Sequence, residues 1–203
     1  MRPDLCVCAL VPRLRLRTRV LVAFHHREWS RTTNTGHLAV RALEGSSACL
    51  WGEGDGDLRD VATDAPPKWP PPDGAFAFVL APGGALLDPQ ALPSGPVCMV
   101  VPDGTWRQAL KMPRRIPALR DLPRLALPTP PPADYHLRTT SRDDGLATLH
   151  AIALAVGLID GPEAEAALLA PYRAMVAGTL STRGPERRRQ HPTHPTDGDD
   201  ECC

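Results

Sequence analysis

Within seven residues, Val100-Val101-Pro102-Asp103-Gly104-Thr105-Trp106 joins the end of an apolar run to a carboxylate, a glycine, a hydroxyl and an indole, in a chain only 4% aromatic. Two readings suit that set. In one, backbone N–H groups opening a helix after Asp103 bind an anionic or carbonyl group while Asp103 acts as a base or holds an ammonium. In the other, Asp103 is a helix cap, Gly104 a turn and Trp106 a core anchor. A second candidate is His25-x-x-Glu28, in the polar stretch HHREWSRTTNT that ends on Asn34-Thr35. It reads either as a catalytic pair or as a hydrogen bond that pins a loop. A third is Tyr135-His136-Leu137-Arg138, where Arg138 can grip a carboxylate bidentately, followed by Gly145–Ala151 with Thr148 and His150. His150 stands in an otherwise apolar stretch and reads as a hydrogen-bonded core histidine rather than a ligand.

The elements that must position these groups follow from hydrophobic patterning. Thr18–Phe24 (TRVLVAF) is β-branched and apolar without a breaker, and FAFVL at 76–80 and VCMVV at 97–101 are continuous apolar runs. Such runs are expected of strands covered on both faces. ACLW at 48–51 and RLAL at 124–127 are shorter strand candidates. Between them, Asn34 or Thr33 can cap a helix through Leu43, and Thr105–Met112 can form a helix that Pro113 stops. Leu146–Ile159 reads as a buried helix, and Glu163–Leu180 as a final one. The acidic, proline-rich stretch 52–74 reads as an exposed loop. Alternating strands and helices predict an α/β fold, a mainly parallel sheet with helices on both faces. Ligands of such sheets bind at the carboxyl ends of strands. That expectation puts Pro82–Gly84 and Pro102–Trp106 at one crevice if their strands are neighbours.

The chain has 203 residues, 42% hydrophobic, enough for one core. Its formal net charge is zero, which excludes a histone-like basic protein and an acidic solvating tail, yet the charges are segregated. Residues 1–31 carry seven Arg against two acids, 44–103 two bases against nine acids, and 107–142 eight bases against two acids. Basic blocks of this kind can form a face for a polyanion or a merely solvated surface. Six cysteines, at 6, 8, 49, 98, 202 and 203, lack the spacing of a disulfide framework, and no stretch has the length of a membrane span or the pattern of a signal peptide. A cytoplasmic protein, without membrane or DNA as partner, is expected.

Taken in order, Cys6-x-Cys8, His25-x-x-Glu28, Asn34-Thr35-Gly36, Leu80-x-Pro82, Asp103-Gly104-Thr105-Trp106, Tyr135-x-Leu137-Arg138 and Leu146-x-Thr148-Leu149-x-Ala151 resemble the motifs of the DTW-domain family of tRNA-uridine aminocarboxypropyltransferases. The resemblance covers about residues 6–180, with residues 1–180 as the domain, 1–16 as the remnant of a cysteine-containing segment, and 181–203 as a disordered tail. It implies a SPOUT-related fold with a knotted cofactor site, S-adenosylmethionine as cofactor and tRNA as partner. Leu80, Pro82, Gly83, Val101, Gly104, Thr105, Trp106, Arg138 and Thr148 are then the cofactor-binding candidates. His25, Glu28, Asn34, Thr35, Arg114 and Arg115 are the substrate-binding candidates. Two departures stand out. The chain begins five residues before Cys6, without the family's C-x-x-C ahead of C-x-C, so either it starts short or this member has lost the zinc; two thiolates cannot close a tetrahedral site, and no metal is expected. The family's Ser-Thr-x-Glu-Ala stands here as Ala147-Thr148-Leu149-His150-Ala151.

The reaction so implied transfers the 3-amino-3-carboxypropyl group to N3 of a tRNA uridine. N3–H is a weak acid, so a carboxylate that takes its proton contributes about 10²–10⁴-fold, and Asp103 is the catalytic candidate. Arg138 is the candidate for the cofactor's carboxylate, and Arg13, Arg15, Arg17, Arg114 and Arg115 for tRNA phosphates. The alternatives are a SPOUT-like RNA methyltransferase, or a catalytically weak RNA-binding member of the family, a reading motivated by His150.

Overall fold

The computed structural model describes residues 6–31, 33–52, 56–67, 71, 73–128 and 146–182. Each long apolar run becomes a central strand: β1 (Thr18–His25), β4 (Phe76–Leu86) and β5 (Val97–Asp103). β2 (Ser47–Trp51), the two-residue β3 (Arg59–Asp60) and β6 (Arg124–Ala126) complete a six-stranded sheet in the order β3-β2-β1-β5-β4-β6. All pairings are parallel except that of β3 with β2.

Five α-helices accompany the strands among the described residues: α1 (His26–Trp29), α2 (Gly36–Ala42), α3 (Trp106–Arg115), α4 (Thr148–Asp160) and α5 (Pro162–Thr182). On one face Leu38 and Ala39 of α2, Leu149 and Ile152 of α4, and Leu168 and Tyr172 of α5 pack with Val22, Phe24, Met99 and Val101. On the other, Met112 of α3 with Ile116 and Leu119 just beyond it packs with Leu21, Ala23 and Val100. Each fully buried side chain of this size contributes about 1.5–3 kcal/mol. The fold is therefore α/β, with helices on both faces, as the alternating pattern predicts.

Four local expectations need correction. The stretch 52–74 is not loop throughout: β3 lies within it, anchored on β2 by the bond from Val61 N–H to the Ala48 carbonyl at 2.9 Å. The polar stretch after β1 holds the single turn of α1. Pro113 does not stop α3, which runs on to Arg115. The ring removes only its own N–H, while Met112, Pro113 and Ile116 are buried against the sheet and Ile116 N–H closes on the Met112 carbonyl at 2.9 Å. Lastly, β4 does not end at Leu80. Ala81–Gly84 is an excursion within the strand, because Leu125 of β6 pairs with both Leu80 and Ala85. Gly84 passes so close to β6 that a Cβ there would lie 2.4 Å from the Arg124 carbonyl oxygen.

Strand order decides where a ligand can sit. β1 is followed by β2 on one side, whereas β5 is followed through α3 by β6 on the other. The connections diverge between β1 and β5, which defines the crevice position of an open parallel sheet. β4 pairs with β5 only as far as Val79↔Val100, while β1 accompanies β5 to Phe24↔Asp103. By that rule the crevice position falls between β1 and β5; β4 and β5 are neighbours too, as a crevice shared by Pro82–Gly84 and Pro102–Trp106 requires. The path from β6 to α4 passes through residues 129–145, outside the described residues, so the knot stays an implication of the family resemblance.

Candidate functional site

Alternation along β5 sends Val97, Met99 and Val101 to the α2–α4–α5 face, and the same period carries Asp103 there, at the carboxyl edge of the sheet. Its side chain is only 5% exposed. A buried carboxylate must be matched by donors, and two come from helix starts. Asn34 Nδ2 donates to Asp103 Oδ2 at 2.6 Å, and Thr148 Oγ1 donates to Oδ1 at 2.9 Å. Asn34 precedes α2 and Thr148 opens α4, so the positive ends of two helix dipoles also face this charge.

The donors are themselves held. Asn34 Oδ1 accepts from Gly36 N–H at 2.8 Å, and its amide also lies 3.4 Å from the Glu28 carbonyl oxygen. Thr35 Oγ1 accepts from Leu149 N–H at 3.1 Å, so a residue ahead of α2 caps the first turn of α4. Gly36 leaves room for this knot of polar atoms: a Cβ there would lie 2.9 Å from both Asp103 Oδ2 and the Phe24 ring. Asn34, predicted as a helix cap, thus stands one residue ahead of the cap position, Thr35, and spends its amide on Asp103.

Asp103 does not cap α3. Thr105 does, through a capping box in which its Oγ1 accepts from Gln108 N–H at 3.4 Å and Gln108 Oε1 accepts from Thr105 N–H at 2.7 Å. Gln108 escaped the sequence reading although Thr105-x-x-Gln108 is the signature of such a box. It also accounts for Gly104, where a Cβ would lie 2.9 Å from that of Gln108. With capping assigned to Thr105, the helix-cap reading of Asp103 falls. Trp106 is the first, half-buried residue of α3.

His25 and Glu28 turn to separate partners. His25 Nδ1 accepts from Arg27 N–H at 3.3 Å and caps α1, with its ring edge-on to Trp51 at 5.6 Å. Partial burial, then the adjoining positive charges of His26 and Arg27, hold its pKa below the usual histidine value. Glu28 is 1% exposed and pairs with Arg31 Nε at 3.2 Å. His37 accompanies them from α2, stacked on Phe24 and bonded to the Trp29 carbonyl oxygen at 2.9 Å.

Of the other candidates, Leu80 and Val101 are core residues, whereas Pro82 and Gly83 are exposed in the β4 excursion. Arg114 and Arg115 lie exposed at the far end of α3. Arg13, Arg15 and Arg17 precede β1, at the amino edge, and Arg17 N–H is bonded to Asp160 Oδ1 at 3.1 Å. Arg138 and the rest of the Tyr135–Arg138 motif lie outside the described residues. His150 turns about 200° around α4 from Thr148 and meets the Tyr172 ring of α5 at 5.6 Å. Cys6 and Cys8 are exposed thiols, with Arg41 Nη1 3.3 Å from Cys8 Sγ. Among the described residues no three His, Cys, Asp or Glu side chains gather as a metal site, and no helix is long and apolar enough to cross a membrane.

A mostly parallel α/β sheet with helices on both faces and a buried, donor-held carboxylate where its connections diverge defines the class, a doubly wound α/β protein. The family model of the DTW domain matches residues 1–180, and the chain belongs to that family, which is associated with the modification of tRNA. No curated protein and no solved structure matches the chain.

Proposed function

We propose that the protein transfers the 3-amino-3-carboxypropyl group of S-adenosylmethionine to N3 of a uridine in tRNA. The observation that carries this reading is the position of Asp103, held by Asn34 and Thr148 at the sheet's divergence point inside the Asp103–Trp106 signature. Family membership supports the tRNA partner. The site suits the zwitterionic end of the cofactor: the N-termini of α3 and α4 fit its carboxylate, with Arg138 as a further candidate grip, and Asp103 adds the negative charge that favours a sulfonium nearby.

When bound, the cofactor supplies an electrophilic carbon next to a sulfonium leaving group. The protein's part is orientation and proton handling. Asp103 accepts the N3 proton of the uridine, and its two hydrogen bonds fix the carboxylate's plane so that no reorganisation accompanies proton transfer. Asn34, Thr35 and Thr148 are positioning residues: they join α2, α4 and β5 around that carboxylate. His25, kept neutral, stands on the side of the edge that follows β1, where the uridine enters, while buried Glu28 holds Arg31.

Mass spectrometry of nucleosides from unmodified tRNA incubated with protein and S-adenosylmethionine tests the proposal. An aminocarboxypropyl-uridine mass is expected, whereas a methyl mass or an unchanged nucleoside pool overturns it. Asp103→Asn keeps size and can keep both hydrogen-bonded neighbours. It should leave the melting temperature within a few degrees of wild type and lower turnover at least about tenfold. Unchanged turnover would reduce Asp103 to a structural post.

A further inference from the structure

α3 carries a run of cations. Arg107, Lys111, Arg114 and Arg115 are all exposed, and no acid occurs from Gly104 to Arg120. At 100° per residue these four side chains fall within about 100° of one another around the helix axis, and the span from Arg107 to Arg115 is about 12 Å. The opposite side, with Met112 and Pro113, is buried on the sheet. The ion pairs found among the described residues join Arg19 to Asp73, Arg31 to Glu28 and Arg59 to Asp64, so none of them neutralises the α3 face.

Helix electrostatics explain only half of this arrangement. Cations in the last turn suit the negative end of the dipole, which accounts for Arg114, Arg115 and the nearby Arg120, whose Nε donates to the Arg114 carbonyl oxygen at 3.2 Å. They do not account for Arg107. It is the second residue of α3, where the positive helix end disfavours a cation by about 0.3–1 kcal/mol. Lys111, one turn on, continues the row through mid-helix. A row that begins at the unfavourable end and runs the length of the helix calls for an anion outside the protein.

We infer that this face of α3 seats the sugar-phosphate backbone of RNA, with Arg107, Lys111, Arg114 and Arg115 on successive phosphates. The inference rests on the tRNA reading above and extends it to a surface and a direction. Because α3 starts three residues after Asp103, a strand lying along the row is led toward the β1/β5 edge, with Arg107 the cation nearest the reacting nucleotide. Exposed Leu110, beside the row, adds apolar contact for a ribose.

The test is the salt dependence of binding to an unmodified tRNA transcript, read by fluorescence anisotropy without cofactor. Each phosphate contact adds about 0.7–0.9 to the slope of log affinity against log salt. Four contacts make binding roughly 50- to 150-fold weaker at 200 mM than at 50 mM salt. Arg107→Gln with Lys111→Gln should lower the slope by about 1.4–1.8, and the fourfold Gln variant by about 3. Arg59→Gln, on edge strand β3, should leave it unchanged. An unaltered slope in the α3 variants overturns the inference, as does an equal loss in Arg59→Gln, which would mark a general field effect. Failure to bind tRNA, with binding of poly-glutamate that depends on the same residues, overturns it in favour of an acidic protein partner. The nucleoside assay run alongside separates the two readings, since transfer can fail while α3-dependent RNA binding stands.

Discussion

Replacing Asn34 by Asp changes almost no volume but puts a second carboxyl where the amide now lies, 2.6 Å from Asp103 Oδ2. Two carboxylates at that distance cannot both ionise in a buried site; one holds a proton, and the apparent pKa of the pair rises. Losing the hydrogen bond to a charged acceptor alone costs about 1.5–3 kcal/mol at neutral pH. For a domain of this size that is a melting temperature lower by about 3–12 °C. The sign with pH follows from the raised folded-state pKa. The penalty is absent below the unfolded carboxyl value near about 4, grows as pH rises, and is complete above the raised value. Asn34→Ala removes the same donor without adding charge, so its deficit should vary little with pH. Thermal unfolding followed by circular dichroism from about pH 4.5 to 8, each variant compared with wild type at the same pH, measures the difference. An Asn34→Asp deficit that does not shrink on acidification would refute the charged, donor-held carboxylate on which the site is built.

Thr148→Val deletes the hydroxyl bonded to Asp103 Oδ1 and leaves shape nearly intact, so a loss of about 1.5–3 kcal/mol is expected for a hydrogen bond to a charged group. Thr148→Ser should restore most of it; equal loss in both by thermal melting would assign the effect to packing. His25, half-buried and beside other positive charge, should titrate below the ordinary histidine range when its ring protons are followed by NMR. Its folded-state pKa is lowered, so the stability gained by keeping it neutral is present above the unfolded value and fades as pH falls through the folded one. A midpoint at or above the free-histidine value would show that the ring is hydrated.

The parts legible in the sequence are those that local pattern encodes. TRVLVAF, FAFVL and VCMVV are apolar without interruption because β1, β4 and β5 are central strands covered on both faces. Edge strands need no such run, and Arg59-Asp60 pairs with β2 inside an acidic, proline-rich stretch that hydropathy marks as loop. Pro113 misleads because helix termination by proline is a local steric rule, while burial of Met112 and Ile116 is a tertiary gain that outweighs it. The site divides the same way. The Asp103–Trp106 cluster is visible as composition, and a capping box is readable from Thr105 and Gln108. The bond from Asn34 to Asp103 spans 69 positions and depends on β1 lying beside β5. No periodicity carries strand order, so the place of β1 on the other side of β5 was not legible.

Strand order bears on what each candidate residue can do. With β1 beside β5, the groups that meet at Asp103 come from the starts of α2 and α4, on one face of the sheet. His25 alternates to the other face with Leu21 and Ala23 and stands next to the Gly104 turn, where a Cβ would lie 3.5 Å from its own. The Asp103–Trp106 segment therefore crosses the sheet edge, its carboxylate on one side and its glycine and helix start on the other. This division explains how one short segment can combine a buried, rigid charge with an open helix start that leads onto the cationic row of α3. His150, two residues beyond Thr148 on α4, turns away from that carboxylate, its ring 5.6 Å from that of Tyr172 on α5.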